Sequence, residues 1–220
     1  MTNRETAERL AALYDGRSLQ GYVRWKMRTD PAYEAVRDVL KGRSRPLLDL
    51  GCGVGLLAVY LREQGHTVPI VGIDFDQRKI DRARKAAQRY EGIEFIAGDA
   101  RDPLPRDRDV VILDLLHYFD SASQQTILAN AARAAGDDGM VVIRQGIRDG
   151  SWRHRLTAFV DGLARVLRWM KAENLNFPRR EEIEAPFAEF VGEVRPLWGR
   201  MPYNSYLFVF RRRATAHRPE

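Results

Sequence analysis

Cysteine occurs once in this chain of 220 residues, at Cys52. A single thiol excludes an internal disulfide framework and a multi-cysteine zinc site. No histidines and acids fall at metal-ligand spacing, so no metal is expected. No apolar run is long enough to cross a bilayer. The first residues, Met1-Thr2-Asn3-Arg4-Glu5-Thr6, lack the apolar core of a secretory signal. These absences together lead us to expect the cytoplasm or another reducing compartment. Lysine is scarce, and most of the 36 basic residues are arginine, set against 30 acids for a net charge of +6. Scattered arginine with abundant alanine reflects genome composition more readily than nucleic-acid binding. A basic surface still favours an anionic partner: nucleic acid, a CoA ester or an acidic carrier protein. There is no internal repeat.

What is present is an ordinary globular chain, 45% hydrophobic, long enough for one sizeable domain with a cap. Residues 4–14 read as a short amphipathic helix with Leu10, Leu13 and Tyr14 on one side. A polar, glycine-containing link follows, up to Asp30-Pro31. Proline suits a first helical turn, and a helix from Ala32 to Lys41 ends at Gly42. From Pro46 strands and helices alternate. The strands are Leu47–Leu50, Pro69–Ile73, Ile93–Ala97, Asp109–Leu113 and Met140–Arg144. Helices fall at Leu56–Gln64, Gln77–Tyr90 and about Ser121 to Ala135. Nearly continuous apolar strands are expected where helices cover both faces of a parallel sheet. Trp152 to about Glu173 has a helical apolar stripe facing the core, and Arg179–Phe190 reads as a further helix. Glu193–Trp198 and Ser205–Arg212 are strand-like with no helix between, which predicts an antiparallel hairpin at the sheet edge. Residues 213–220 are expected to be a disordered tail.

The most informative stretch is Leu47-Leu48-Asp49-Leu50-Gly51-Cys52-Gly53-Val54-Gly55-Leu56-Leu57. It reads as a buried strand, a tight loop and a helix start. Glycines in such a loop let backbone approach a ligand closely. A dinucleotide fingerprint would need its third glycine at position 56, where this chain has Leu56. The pattern acid-x-Gly-x-Gly-x-Gly instead resembles the cofactor loop of class I S-adenosylmethionine-dependent methyltransferases. That resemblance implies a Rossmann-like α/β three-layer sandwich. Its mostly parallel seven-stranded sheet has the order 3-2-1-4-5-7-6, with an antiparallel strand 7. Residues 1–44 would then form an N-terminal helical cap and 45–145 the cofactor-binding core. Residues 146–212 would be a substrate-side half, all within one domain.

Four signals follow the order and spacing of that family. In the glycine loop, the backbone of Gly51, Cys52, Gly53 and Gly55 would pass under the methionine part of the cofactor, with Asp49 near its ammonium group. In Ile70-Val71-Gly72-Ile73-Asp74, the carboxylate of Asp74 can take both ribose hydroxyls. Phe75 would offer an apolar face beside the adenine. In Ile93-Glu94-Phe95-Ile96-Ala97-Gly98-Asp99-Ala100, the resemblance gives Asp99 the exocyclic amine and the Ala100 backbone the ring edge. The fourth signal, Asp109-Val110-Val111-Ile112-Leu113-Asp114-Leu115-Leu116-His117-Tyr118, places Asp114 and further polar groups at the strand-four exit. Ligands in open α/β sheets bind at such carboxyl ends. Asp76, directly before the Gln77 helix, is the expected helix cap.

Methyl transfer from a sulfonium needs proximity and orientation. It also needs a base when the acceptor is a hydroxyl or a ring carbon beside a phenolate. His117 and Tyr118 at the strand-four exit are the first catalytic candidates; a histidine satisfied by backbone at a helix entry is the alternative. His154, Tyr14, Tyr22, Tyr203 and Lys26 are candidates to line the acceptor site, and Lys26 or Arg28 to meet the cofactor's carboxylate or an anionic substrate. The strand-four exit lacks the Pro-Pro-Tyr motif of amino-group methyltransferases and the Pro-Cys of cytosine C5 enzymes. A small or carrier-bound acceptor therefore fits better than nucleic acid. Leu113–Tyr118, Ile143-Arg144-Gln145-Gly146, Trp169-Met170-Lys171 and Arg195-Pro196-Leu197-Trp198-Gly199 look like the small methyltransferases of aryl-polyene and xanthomonadin-type pigment synthesis. That likeness implies O- or ring C-methylation of an aromatic head group, tethered in one version to an acyl carrier protein. An RNA methyltransferase and a non-catalytic cofactor-binding scaffold are the rival readings.

Overall fold

The computed structural model describes residues 3–150, 175–198 and 204–212. The helix expected over Trp152–Glu173, the candidates His154 and Tyr203, and the tail at 213–220 lie outside the described residues. Within them the chain forms α1 (Asn3–Ala11), α2 (Arg17–Thr29), α3 (Ala32–Leu40), β1 (Leu47–Leu50), α4 (Leu56–Glu63), β2 (Ile70–Asp74), α5 (Gln77–Ala87), β3 (Ile93–Ala97) and β4 (Asp109–Leu113). A short 3₁₀ turn (Leu116–Tyr118), α6 (Ser121–Ala135), β5 (Met140–Gly146), α7 (Arg180–Glu184), β6 (Phe190–Pro196) and β7 (Ser205–Arg212) complete it. Among the described residues no helix is long and apolar enough to cross a membrane.

The sheet has seven strands in the order β3-β2-β1-β4-β5-β7-β6. The first five pair in parallel. β7 runs antiparallel to both β5 and β6, and the short connection from β6 to β7 suits an antiparallel pair. This is the Rossmann-like order that the resemblance implies. β6 begins three residues earlier than the sequence suggested and ends two earlier, at Pro196.

Side chains alternate across a strand, and the two faces bury different cores. On one face Leu47, Val111, Met140, Val142, Leu207 and Val209 pack with α1, α2, α3, α4 and α5. On the other, Leu48, Leu50, Val110, Ile112, Ile143 and Phe208 pack with α6 and α7. The alternation puts Asp49 and Arg144 on the first face, under the N-terminal helices, and Gln145 on the second.

The N-terminal region corrects one expectation. Residues 17–29, read from sequence as a link, form the 13-residue helix α2. Its buried residues Val23 and Met27 sit four apart, and Leu19 packs against the same core. That narrow stripe is enough for a helix whose stability comes from tertiary packing. Asp76 caps α5 as expected, accepting from the Arg78 amide at 3.1 Å.

At the foot of the sheet, Arg43 locks the first helices to β4. Its Nε and Nη2 donate to Asp109 Oδ2 and Oδ1 at 2.8 and 2.6 Å. Asp109, 1% exposed, also accepts the Met140 amide at 2.9 Å. Removing one partner of a buried pair costs more than the pair is worth, because the other is left uncompensated. Asp109→Ala is therefore expected to lower stability by about 3 kcal/mol, the low end for a buried pair because Arg43 stays partly hydrated. A urea midpoint equal to wild type would show that Asp109 does not hold the strand ends together.

Candidate functional site

The loop from β1 to α4 is built on glycine because its backbone turns left-handed three times. φ is +74° at Gly51, +56° at Gly53 and +75° at Gly55. The amides of Gly51 and Cys52 both donate to Ile73 O, at 2.8 and 3.0 Å. The three positions differ in what surrounds them. A Cβ on Gly51 would come within 2.7 Å of Leu115, and one on Gly55 within 2.5 Å of Phe95. A Cβ on Gly53 would meet nothing within 4 Å. Two glycines are thus demanded by packing, and the middle one faces open space. Cys52 is buried, with its thiol pushed well up by burial and by the neighbouring carboxylates of Asp49 and Asp74.

Asp49 is 2% exposed, and its Oδ2 is sealed from solvent with no hydrogen-bond partner. Burial, joined by the charge of Asp74, pushes its carboxyl up to about 7. An orphaned, buried carboxylate oxygen is costly, and a cationic ligand would satisfy it. Asp74, at the end of β2, accepts the amides of Gly53 at 3.0 Å and Asp76 at 2.9 Å, one on each oxygen. A carboxylate has about four acceptor positions, so each oxygen keeps one for a ligand. Lys79 Nζ lies 3.8 Å from Asp74 Oδ2 and 5.7 Å from the centre of the Phe75 ring. Phe75 is 69% exposed, an apolar plate beside these oxygens. Asp99 is engaged by its neighbour. Its oxygens accept the Arg101 amide and guanidinium at 2.9 Å, and the Arg101 side chain holds its carboxyl below the usual range. Ala100 is buried.

The strand-four exit turns on Asp114, a non-glycine residue with φ +53°, a conformation that aspartate tolerates better than most residues. Its carboxylate pairs with Arg144 from β5 and lies 3.7 Å from Lys26 of α2. Lys26 also pairs with Asp30 at 2.6 Å, and Arg144 reaches Asp30 at 3.7 Å. Burial alone would raise the Asp30 carboxyl; Arg144 and Lys26 outweigh it and hold it below the usual value. Lys26 is thus engaged within the protein, and Arg28 points away to Glu8 at 2.8 Å. Neither stands ready for a ligand carboxylate as expected. Tyr14 is also displaced from its expected role. Burial raises its phenol well above the ordinary value, and its hydroxyl donates to Val54 O at 3.1 Å, tying the turn after α1 to the glycine loop. Tyr22 is 42% exposed and lies beside Trp25.

His117 sits in the 3₁₀ turn after β4, 6% exposed. Its ring stacks on Phe177 with centroids 5.3 Å apart and contacts Tyr118 at 4.2 Å. Nδ1 lies 3.0 Å from Gln145 Nε2. Burial lowers its pKa to about 4, and the charge of Lys26 adds to the shift. His117 is therefore neutral at physiological pH. Tyr118 is 43% exposed. Gln124 holds the turn from below, donating to Leu116 O, Phe119 O and Asn176 O at 3.0, 3.0 and 2.7 Å. Sequence reasoning missed Gln124 and Phe177, read Asp30 only as part of a helix start and met Gln145 only within a motif. Their roles depend on partners more than 20 residues away in several cases, although strand alternation alone would have put residues 144 and 145 on opposite faces.

A family profile described as "Methyltransferase domain" matches residues 47–139. The myricetin 3'/5'-O-methyltransferase 1 of Solanum habrochaites is 33% identical over 105 residues, 47% of this chain and 27% of that protein. The chain thus spans about a quarter of that relative's length. The demethylmenaquinone methyltransferase of Deinococcus radiodurans is 28% identical over 164 residues, 68% of each chain. In fold, the chain is similar to the magnesium protoporphyrin IX methyltransferase of Synechocystis, crystallised with S-adenosylhomocysteine. That superposition has a TM-score of 0.66 and 17% identity, covering 95% of this chain and 94% of the other. Residues 47–139 thus match a methyltransferase domain, and the fold is one also seen in a methyltransferase crystallised with S-adenosylmethionine. The orphaned Asp49 oxygen, the open face of Gly53 and the spare acceptors of Asp74 fit that cofactor.

Two predictions follow from the loop. Gly55→Ala combines left-handed strain with a Cβ driven into Phe95 and is expected to cost about 3 kcal/mol or more of stability. Gly53→Ala carries only the strain, about 1–2 kcal/mol, yet should weaken S-adenosylmethionine binding, which calorimetry would detect. Equal stability losses in the two variants would contradict this division. Asp49 provides a pH test. Its folded pKa lies above the ordinary 3.8, so the folded state holds the proton more tightly than the unfolded chain. Stability should therefore fall as pH rises from about 4 through about 7. Asp49→Asn should flatten that slope in urea midpoints measured across the range; an unchanged slope would show that another group causes it.

Proposed function

We propose that the chain transfers a methyl group from S-adenosylmethionine to a small aromatic or polyketide-type acceptor. The observation that carries this reading is the unpartnered, buried Asp49 oxygen on β1, just before the left-handed glycine loop and one strand from the Asp74 carboxylate. In this reading Asp49 meets the ammonium group and Asp74 meets the two ribose hydroxyls. Phe75 covers the adenine, and Asp99 with the Ala100 backbone borders its polar edge. Asp114 faces the cofactor side of the strand-four exit. When bound, the cofactor supplies a methyl group on a sulfonium centre. The protein's part is to hold the acceptor in line with it and keep water away.

His117, Tyr118 and Phe177 support an aromatic acceptor, since their rings form a cluster at the exit where a second substrate meets the cofactor. Relatives named for O-methylation and for demethylmenaquinone methylation are consistent with attack by oxygen or by a ring carbon. The finer version of the proposal places the aromatic head group of a polyene pigment on an acyl carrier protein, whose acidic surface would suit the net charge of +6. In that version residues 1–44 cap the 45–145 core, and 146–212 face the substrate.

Labelled S-adenosylmethionine incubated with hydroxyaryl acids, free and carrier-bound, and with RNA as control, tests the proposal. Label is expected in the hydroxyaryl compounds. Label in RNA alone, or cofactor binding with no transfer to any acceptor, would overturn it. Asp74→Ala should weaken cofactor binding at least about tenfold, the loss of one or two hydrogen bonds to a charged group. Unchanged affinity would remove the ribose assignment.

A further inference from the structure

Gln145 is 0% exposed, and both ends of its side-chain amide are specified by backbone. Its Oε1 accepts the Leu116 amide at 3.2 Å. A backbone N–H can only donate, so the atom facing it must be oxygen. Its Nε2 donates to its neighbour's carbonyl, Gly146 O, at 3.2 Å. A carbonyl can only accept, so the atom facing it must be nitrogen. The amide therefore cannot be flipped, and its second N–H points at His117 Nδ1, 3.0 Å away. Nδ1 has to be the ring nitrogen that carries the lone pair, and a neutral imidazole then carries its proton on Nε2. Among the described residues Nε2 makes no hydrogen bond, so it is the ring position left to meet a ligand. The ring itself cannot swing away. It is stacked on Phe177 and against Tyr118, and its backbone carbonyl is held by the Asn176 amide at 2.9 Å.

We propose that His117 serves the acceptor as a hydrogen-bond donor through Nε2–H rather than as a base, with Gln145 as the residue that sets its tautomer. The role expected of His117 from sequence requires a lone pair aimed at the acceptor. Moving the proton to Nδ1 would set two N–H groups head to head in a fully buried contact. It would leave both without an acceptor, which a protein interior does not tolerate cheaply. An N–H donor at this place suits an oxygen that arrives already ionised, a carboxylate or an acidic phenol, whose proton has gone to solvent beforehand. The acceptor class rests on the methyltransferase reading; the position of the proton rests on the geometry alone.

Nitrogen-15 NMR of the full chain with labelled histidine tests the proton directly. The sequence has four histidines, and His117→Gln identifies the signal by subtraction. The expected spectrum shows His117 with an unprotonated Nδ1 and a protonated Nε2, and no change of state between about pH 6 and 8. Gln145→Glu should move the proton to Nδ1, because a carboxylate accepts where the amide donated. A wild-type His117 protonated on Nδ1 overturns the proposal even if the variant does not fold. For the acceptor, 4-hydroxycinnamate and its more acidic 3-nitro derivative are compared. The rising limb of kcat/KM is expected to move with the phenol's own ionisation. A limb fixed at one pH for both phenols and absent in His117→Gln would make His117 a base and overturn the donor role. The NMR measurement needs neither cofactor nor acceptor. A chain that transfers no methyl group would therefore sink the functional reading while leaving the tautomer to be decided separately.

Discussion

The rest of the site depends on a backbone constraint: the chain must leave the central strand β1 and enter α4 through three left-handed residues. That geometry turns the Gly51 and Cys52 amides together onto Ile73 O and aims the Gly53 amide at Asp74. It also presents Val54 O to the Tyr14 hydroxyl. β1, β2, α4 and the N-terminal helices are thereby fixed to one another through seven residues. Leu115 and Phe95 close around Gly51 and Gly55, so the loop is packed on its flanks and bare in the middle. A ligand that fills the bare part meets backbone already held in place and loses little entropy in ordering it.

The sheet divides the chemistry between its faces. Asp49 and Arg144 lie on the face covered by α1 to α5, and charge dominates there. Two cations, Lys26 and Arg144, are matched by two acids, Asp30 and Asp114, where the N-terminal helices meet the strand exits. Gln145 lies on the other face, where the network is uncharged: Leu116 amide, Gln145, His117 and Gly146 carbonyl. Arg144 and Gln145 are neighbours in sequence, so a shift of one residue in the β5 register would exchange the two environments. The β5–β7 pairing, seven residues long, protects that register.

Much of this was legible in the sequence. The parallel strands read as apolar runs with acids at their carboxyl ends. The edge hairpin followed from two strand patterns with no helix between them, and the glycine spacing separated this loop from a dinucleotide fingerprint. The helix α2 was not legible by the same signals. Gly21 interrupts it, its exposed face carries Arg24, Trp25 and Arg28, and only Leu19, Val23 and Met27 recur at four-residue spacing. That stripe was available in the sequence but is narrower than an amphipathic face usually shows. Tyr14 and Lys26 were expected beside a substrate because of their residue types. Burial and partner choice redirected both, to Val54 and to Asp30, and such long-range choices leave no local trace.

His117 shows why residue type underdetermines role. A histidine at a strand exit beside a transfer site invites reading as a base, because its ordinary pKa lies near neutrality. Here the low-polarity surroundings of Phe177 and Tyr118 keep it uncharged, and a glutamine 28 residues away in sequence decides which nitrogen holds the proton. The glutamine is in turn oriented by an amide one residue before the histidine, so the 3₁₀ turn and β5 determine the tautomer jointly. In the proposed reading, the cofactor half of the site is written in local motifs. The acceptor half then lies in the relation between one turn and one neighbouring strand.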